Sequence, residues 1–182
     1  MKKFLVIKFL VVFFILFAFN QSISAQQAAF SRGDMVINAG VGLGTYINDS
    51  GYSMIIPPLT GSFEYGVVDF SRKGGIGVGG YFSYLLRKNN SENSFNVGDF
   101  VIGPRVLFHY QFIKYLDTYA GLMLGYDVVS FSRTDNNYPL SASQFYYTLF
   151  VGARYYFTNN IAVFGELGYG VSPLQLGFTY KF

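Results

Sequence analysis

From Met35 onward, apolar residues alternate with small or polar ones, position by position. Met35, Ile37, Ala39, Val41 and Leu43 share one face of a first run, with Val36, Asn38, Gly40, Gly42 and Gly44 on the other. Period two marks a strand whose two faces meet different surroundings. Seven further runs follow. Leu59, Phe63, Tyr65 and Val67 stand opposite Thr60, Ser62, Glu64 and Gly66; Ile76, Val78, Phe82, Tyr84 and Leu86 stand opposite Gly77, Gly79, Tyr81 and Ser83. The fourth run sets Phe100, Ile102, Val106, Phe108, Tyr110 and Phe112 against Gly103, Arg105, His109 and Gln111. The fifth sets Ala120, Leu122, Leu124, Tyr126 and Val128 against Tyr119, Gly121, Gly125 and Asp127. In the sixth, Phe145, Tyr147, Leu149, Val151, Ala153 and Tyr155 oppose Gln144, Thr148, Gly152 and Arg154. Ile161, Val163, Leu167, Tyr169 and Val171 then oppose Ala162, Glu166, Gly168 and Gly170, and Leu174, Leu176, Phe178, Tyr180 and Phe182 oppose Gln175, Gly177, Thr179 and Lys181.

Runs of about ten residues are what a tilted strand needs to cross a bilayer. The breaks between them also alternate. Residues 45–57, 87–98 and 131–143 are longer and rich in Asn, Asp, Ser and Gly, whereas 69–74, 113–117 and 158–160 are short. Long external loops and short periplasmic turns are the asymmetry expected of a membrane barrel. The last external hairpin, around Ser172-Pro173, is an exception.

Alternation alone also fits a soluble lipocalin-like barrel that keeps its apolar face inward. The other face decides between the two. A face turned to water carries many charges, but here it is mostly Gly, Ser, Thr, Asn and Gln. Small residues are what the narrow interior of an eight-stranded barrel requires. The bulky face has no charge in any run, as expected where a lipid-facing Arg or Lys costs about 2–4 kcal/mol at mid-depth. Tyr84, Tyr126, Tyr147 and Tyr169 fall near one rim of that face, and Tyr65, Tyr110, Tyr155 and Tyr180 near the other. These are positions for two aromatic girdles.

The segment before the first run has a different character. Met1-Lys2-Lys3 precedes an apolar stretch ending at Phe19, then Asn20, Gln21 and the small-residue series Ser22-Ile23-Ser24-Ala25. This is the three-part layout of an export signal, with cleavage expected after Ala25. The stretch from Phe9 to Phe19 is short for a spanning helix. The expected division is a signal peptide over 1–25 and one barrel domain over 26–182.

Composition sharpens this picture. Charged residues make up 13% of the 182-residue chain, against roughly 25% in soluble domains. Without Lys2, Lys3 and Lys8 of the leader, the 13 basic residues fall to ten against 10 acidic ones. A nucleic-acid partner is therefore not expected. With no Cys and one His, a disulfide framework, a thiol nucleophile and a multi-His or Cys/His metal site are excluded. No cofactor is expected.

The leader, the eight alternating runs and the final Leu176-Gly177-Phe178-Thr179-Tyr180-Lys181-Phe182 together resemble the outer-membrane β-barrel family typified by OmpA and OmpX. The resemblance covers the whole of 26–182 and rests on patterns rather than fixed residues. It implies an all-β, eight-stranded, antiparallel, up-and-down transmembrane barrel in the bacterial outer membrane, monomeric and surrounded by lipid and lipopolysaccharide. It also implies that Phe178, Tyr180 and Phe182 form the signal read by the barrel-assembly machinery, after escort by periplasmic chaperones. A counterpart of OmpA's peptidoglycan-binding domain is not expected after the last run.

The lumen-facing positions gather Glu64, Arg105, Arg154 and Glu166 near mid-depth, with Asp127 above and His109 and Lys181 toward the periplasmic end. Charges in a narrow dry lumen must pair, so a salt-bridge plug is expected, with a switchable gate over a narrow conduit as its rival. Some eight-stranded outer-membrane barrels act on lipid A acyl chains through His and Ser at the outer rim or lipid face. His109 points inward and lacks a Ser two residues along, so catalysis is not expected. Gly75-Ile76-Gly77-Val78-Gly79-Gly80 matches G-x-G-x-x-G. It runs on into a strand rather than opening a helix, so it is read as relief of lumen crowding and not as a dinucleotide site. Asn48-Asp49-Ser50 and Asn89-Asn90-Ser91 spell glycosylation acceptors but are read as turn chemistry. Tyr46, Tyr52, Met54, Ile55 and Ile56 make the first external loop partly apolar, suited to adhesion or to packing on lipopolysaccharide. The expected role is structural or interactive at the cell surface, in envelope integrity, adhesion or defence. A narrow solute pore and a lipid A-modifying enzyme are the alternatives.

Overall fold

A computed structural model describes residues 29–47, 51–90, 95–132 and 141–182. The expected leader over 1–25 and both glycosylation-like triplets fall wholly or partly outside them. The described residues form eight strands: β1 (Met35–Leu43), β2 (Tyr52–Ser71), β3 (Gly74–Asn89), β4 (Asn96–Ile113), β5 (Leu116–Ser132), β6 (Ser141–Tyr156), β7 (Ile161–Tyr169) and β8 (Leu174–Lys181). Each pairs antiparallel with the next, and β8 pairs with β1 to close the barrel. Closure leaves no edge to template aggregation. The seam is tied on the inside as well, where Thr179 Oγ1 donates to Asn38 Oδ1 at 2.7 Å and Asn38 Nδ2 donates to Ser62 Oγ at 2.8 Å.

Alternation becomes inside and outside as the sequence requires. Ile37, Phe63, Phe82, Ile102, Val106, Leu122, Leu149, Val151 and Leu176 are all exposed on the outer wall. Between the two levels of tyrosine, no outward strand position among the described residues carries Asp, Glu, Lys or Arg. An apolar exterior on this scale is a lipid-facing surface. At the lower end, where the short turns lie, three tyrosines each touch a phenylalanine two residues on. The ring centroids are 4.8 Å apart for Tyr110–Phe112, 5.5 Å for Tyr155–Phe157 and 4.9 Å for Tyr180–Phe182.

Two residues depart from simple alternation. A register shift between Gly66 and Val68 moves β2 by one residue, so Val68 and Phe70 take the outward places and Val67 does not. Such a bulge flips every later side chain. At the top of β7, Gly170 adopts a φ of 141°, and Val171, expected on the outer face, turns inward and is buried.

The strands are also longer at the upper end than the sequence suggested. β2 begins within the expected loop 45–57, and β3 and β4 extend into 87–98. The short turns shrink as well, with only residues 72–73 separating β2 from β3 and 114–115 separating β4 from β5. Because β7, β8 and β1 are short, the wall is tall around β2–β6 and low on the opposite side.

Candidate functional site

The lumen is filled in layers. At the floor, Ala29 and Phe30 fold back under the barrel. Gln111 Oε1 accepts from the Ala29 amide at 2.8 Å, and Lys181 Nζ donates to the Ala29 carbonyl at 2.9 Å. Phe30 is buried and its ring lies 4.1 Å from that of His109, nearly parallel to it.

Above the floor sits the first ionic group. Arg154, fully buried, reaches from β6 across the lumen to Glu64 on β2 with one guanidinium nitrogen. With another it reaches Asp117 on β5 at 3.1 Å. His109 on β4 stands between the same two carboxylates, Nδ1 2.9 Å from Asp117 and Nε2 2.5 Å from Glu64. The Arg154 guanidinium also lies 4.4 Å from the Tyr119 ring centroid. Each of the two carboxylates is thus met by an Arg154 guanidinium nitrogen and by a His109 ring nitrogen, where an uncompensated charge would be very costly.

A second group joins β4 to β7. Arg105 donates to Glu166 at 2.8 Å, and the Tyr119 hydroxyl donates to the same oxygen at 2.9 Å. The Arg105 guanidinium sits 4.4 Å from the centroid of Phe150. The void beside this pair is about 10 Å³, room for about one water.

Over the ionic layers lies an apolar septum of Tyr81, Leu85, Val101, Met123 and Val171, with Ile47 and Tyr146 packed on it. Val171 can complete this septum only because Gly170 turned it inward. Above the septum the barrel opens into a cup of about 470 Å³, bounded by the tall strands on one side and by Tyr46 and Ile47 on the other. In its wall, Arg87 donates from two nitrogens to the two oxygens of Asp99, at 2.8 and 2.7 Å. Gln144 donates to Asp127 at 2.9 Å.

Of the expected cluster, the structure brings Glu64 to Arg154 and Arg105 to Glu166. Asp127 belongs to neither group and lies above the septum with Gln144. Lys181 serves the floor, where it also approaches Asp34 at 3.5 Å. The sequence reading missed Asp117, which it placed in a turn, and Phe30. It also missed the Arg87–Asp99 pair, which it placed in and beside a loop. Parity gives Asp117 away once the turn is shortened to Lys114-Tyr115, since it then shares the inward face with Tyr119. Nothing in the sequence announces Phe30.

His109 is not disposed for chemistry. Both its nitrogens face carboxylates, a phenyl ring covers it and it is 1% exposed. Among the described residues, no group of three His, Asp or Glu is arranged to hold a metal ion. The G-x-G-x-x-G stretch lies wholly in β3. A Cβ on Gly77 would stand 2.3 Å from Glu64 Oε1, and one on Gly79 would stand 1.8 Å from the Phe63 carbonyl. These glycines make room in the lumen and between strands.

Among solved structures, the chain is similar to Ail, the attachment invasion locus protein of Yersinia pestis, in complex with the heparin analogue sucrose octasulfate. The match is at 15% identity and a TM-score of 0.56, covering 83% of this chain and 99% of that one. Another structure of Ail gives 16% identity and 0.51 over 83% and 99%. The N-terminal β-barrel domain of Pseudomonas aeruginosa OprF matches at 17% and 0.48, over 84% and 100%. No protein-family model and no curated protein matches the chain. The fold is that of the eight-stranded outer-membrane barrels.

Proposed function

We propose that this protein is a monomeric, non-conducting barrel of the bacterial outer membrane, with a structural or interactive role at the cell surface. One observation carries the reading. The lumen is blocked three times over, by Phe30 at the floor, by the two ionic groups and by the septum around Leu85 and Met123. A solute path would have to break all three. What the barrel offers its surroundings is therefore its apolar wall and its upper end. The wall fits lipid and lipopolysaccharide, and the upper end fits a partner outside the cell, in adhesion, defence or envelope integrity. The likeness to a protein named for attachment and invasion supports the adhesive version.

Phe178, Tyr180 and Phe182 lie outward on and just after β8, all exposed. In this reading they are the assembly signal presented to the barrel-assembly machinery, after escort by periplasmic chaperones. Planar-bilayer recording tests the proposal. The purified protein is expected to give no steady conductance, and Met123→Ala combined with Phe30→Ala is expected to remain closed while the ionic layers hold. Stable single-channel steps from the unaltered protein would replace the proposal with the narrow-pore alternative.

A further inference from the structure

The cup above the septum offers more than a structural role needs. Its volume of about 470 Å³ falls within the range of small-molecule sites, roughly 300–1,000 Å³. Rings line it on several sides: Tyr52 from β2, Phe131 from β5, Tyr146 from β6, Tyr169 from β7, and Tyr46 from the segment after β1. Tyr46 and Tyr169 stand together, their ring centroids 5.2 Å apart. Each tyrosine combines an apolar ring with a polar tip. Among the described residues, none of these four hydroxyls has a hydrogen-bond partner.

The other polar groups of the described lining carry no net charge and are only partly committed. Its charged residues are Arg87 and Asp99, one of each sign, joined by two hydrogen bonds. Those bonds use Nε and Nη2 of Arg87, which leaves Nη1 without a partner among the described residues. Gln144 donates from Nε2 to Asp127 and keeps its Oε1 free. The lining therefore combines flat apolar rings, hydroxyls that can both donate and accept, one spare guanidinium nitrogen and one spare amide oxygen.

We infer that the cup binds an uncharged saccharide. A sugar ring shows C–H bonds on its faces and hydroxyls around its edge, the pattern that this lining complements. Its C–H faces would lie on Tyr46 and Tyr146, since aromatic faces carry the negative part of the ring quadrupole. Its hydroxyls would reach Gln144 Oε1, Arg87 Nη1 and the tyrosine hydroxyls. A sulfated or carboxylated sugar would bring an anion that no net positive charge receives, with Asp99 already on the one guanidinium. A plain hydrocarbon would strip water from the polar groups and return no hydrogen bond. The inference deepens the interactive role proposed for the upper end and rests on that reading.

The test applies the folded protein, in phospholipid nanodiscs, to a glycan array of uncharged oligosaccharides beside their sulfated and sialylated counterparts. The uncharged glycan bound best is then titrated as the free saccharide by calorimetry. Saturable binding is expected in both formats, at least about tenfold tighter than that of the charged counterparts. Tyr46→Leu and Gln144→Leu are each expected to weaken it several-fold while keeping the heat-dependent gel migration of a folded barrel. Absence of binding to any uncharged glycan, equal or tighter binding of the charged counterparts, loss of binding when the saccharide is free in solution, or an unchanged affinity in either variant would each overturn the inference. A failed titration by protein that migrates as a folded, non-conducting barrel would remove the saccharide and leave that barrel standing. Steady conductance would instead remove the closed lumen, whatever the titration shows.

Discussion

Replacing Arg154 with Met is the sharpest perturbation the lumen offers. The substitution nearly conserves length and removes one buried charge. Arg154 makes two charge-assisted contacts, to Glu64 and to Asp117, and covers the Tyr119 ring. Each such hydrogen bond is worth about 1.5–3 kcal/mol. Taking away one partner of a buried pair costs about 3–5 kcal/mol, because the stranded charge remains. Here Glu64 and Asp117 would both be stranded, with only His109 between them. A loss of about 3–5 kcal/mol is therefore expected, a shift of about two to four decades in the folded-to-unfolded ratio. The assay is urea unfolding of the protein in phospholipid vesicles, followed by gel migration without boiling. Adding Glu64→Gln in the same chain should restore part of the loss, since the double variant strands one carboxylate fewer. A single-variant loss below about 1 kcal/mol, or a double variant that loses the sum of the two single losses, would refute the reasoning.

Two further outcomes follow from the wall. Gly79→Ala is expected to prevent the heat-dependent migration altogether, because its Cβ would lie 1.8 Å from a backbone carbonyl of the paired strand, whereas Gly80→Ala, with nothing within 4 Å, should behave as the unaltered protein. Val106→Arg, at an outward position 52% exposed and paired with Val78 and Leu122, should cost about 2–4 kcal/mol in vesicles. An equal cost in urea titrations for Val106→Arg and Val106→Thr would mean that this position does not face lipid.

Most of the barrel was legible because its two faces meet such different media. Where they do, as from Phe100 to Phe112, the alternation identifies the strand and each residue's side. Where both faces are wet the contrast vanishes. Residues 52–57 therefore read as loop although they lie in β2. The structure accommodates Pro57 and Pro58 within β2 by a register shift between Ile56 and Leu59. Val171 was misplaced because the glycine conformation at 170 interrupts a pattern that composition continues. For the lumen, parity showed which charges point inward but not which would meet. That Arg154 reaches Glu64 four strands away, while Asp127 meets neither, depends on the stagger of the strands around the barrel, which no single strand records.

The ionic groups also have a consequence for the order of events. Arg154–Glu64 joins β6 to β2, and Arg105–Glu166 joins β4 to β7. Neither pair links neighbouring strands, so neither can mature until the sheet has curled and the β1–β8 seam has met. Contacts absent from the transition state leave the folding rate nearly unchanged and retard unfolding. The lumen charges would then act as an internal latch that engages after insertion and lengthens the protein's lifetime in the membrane.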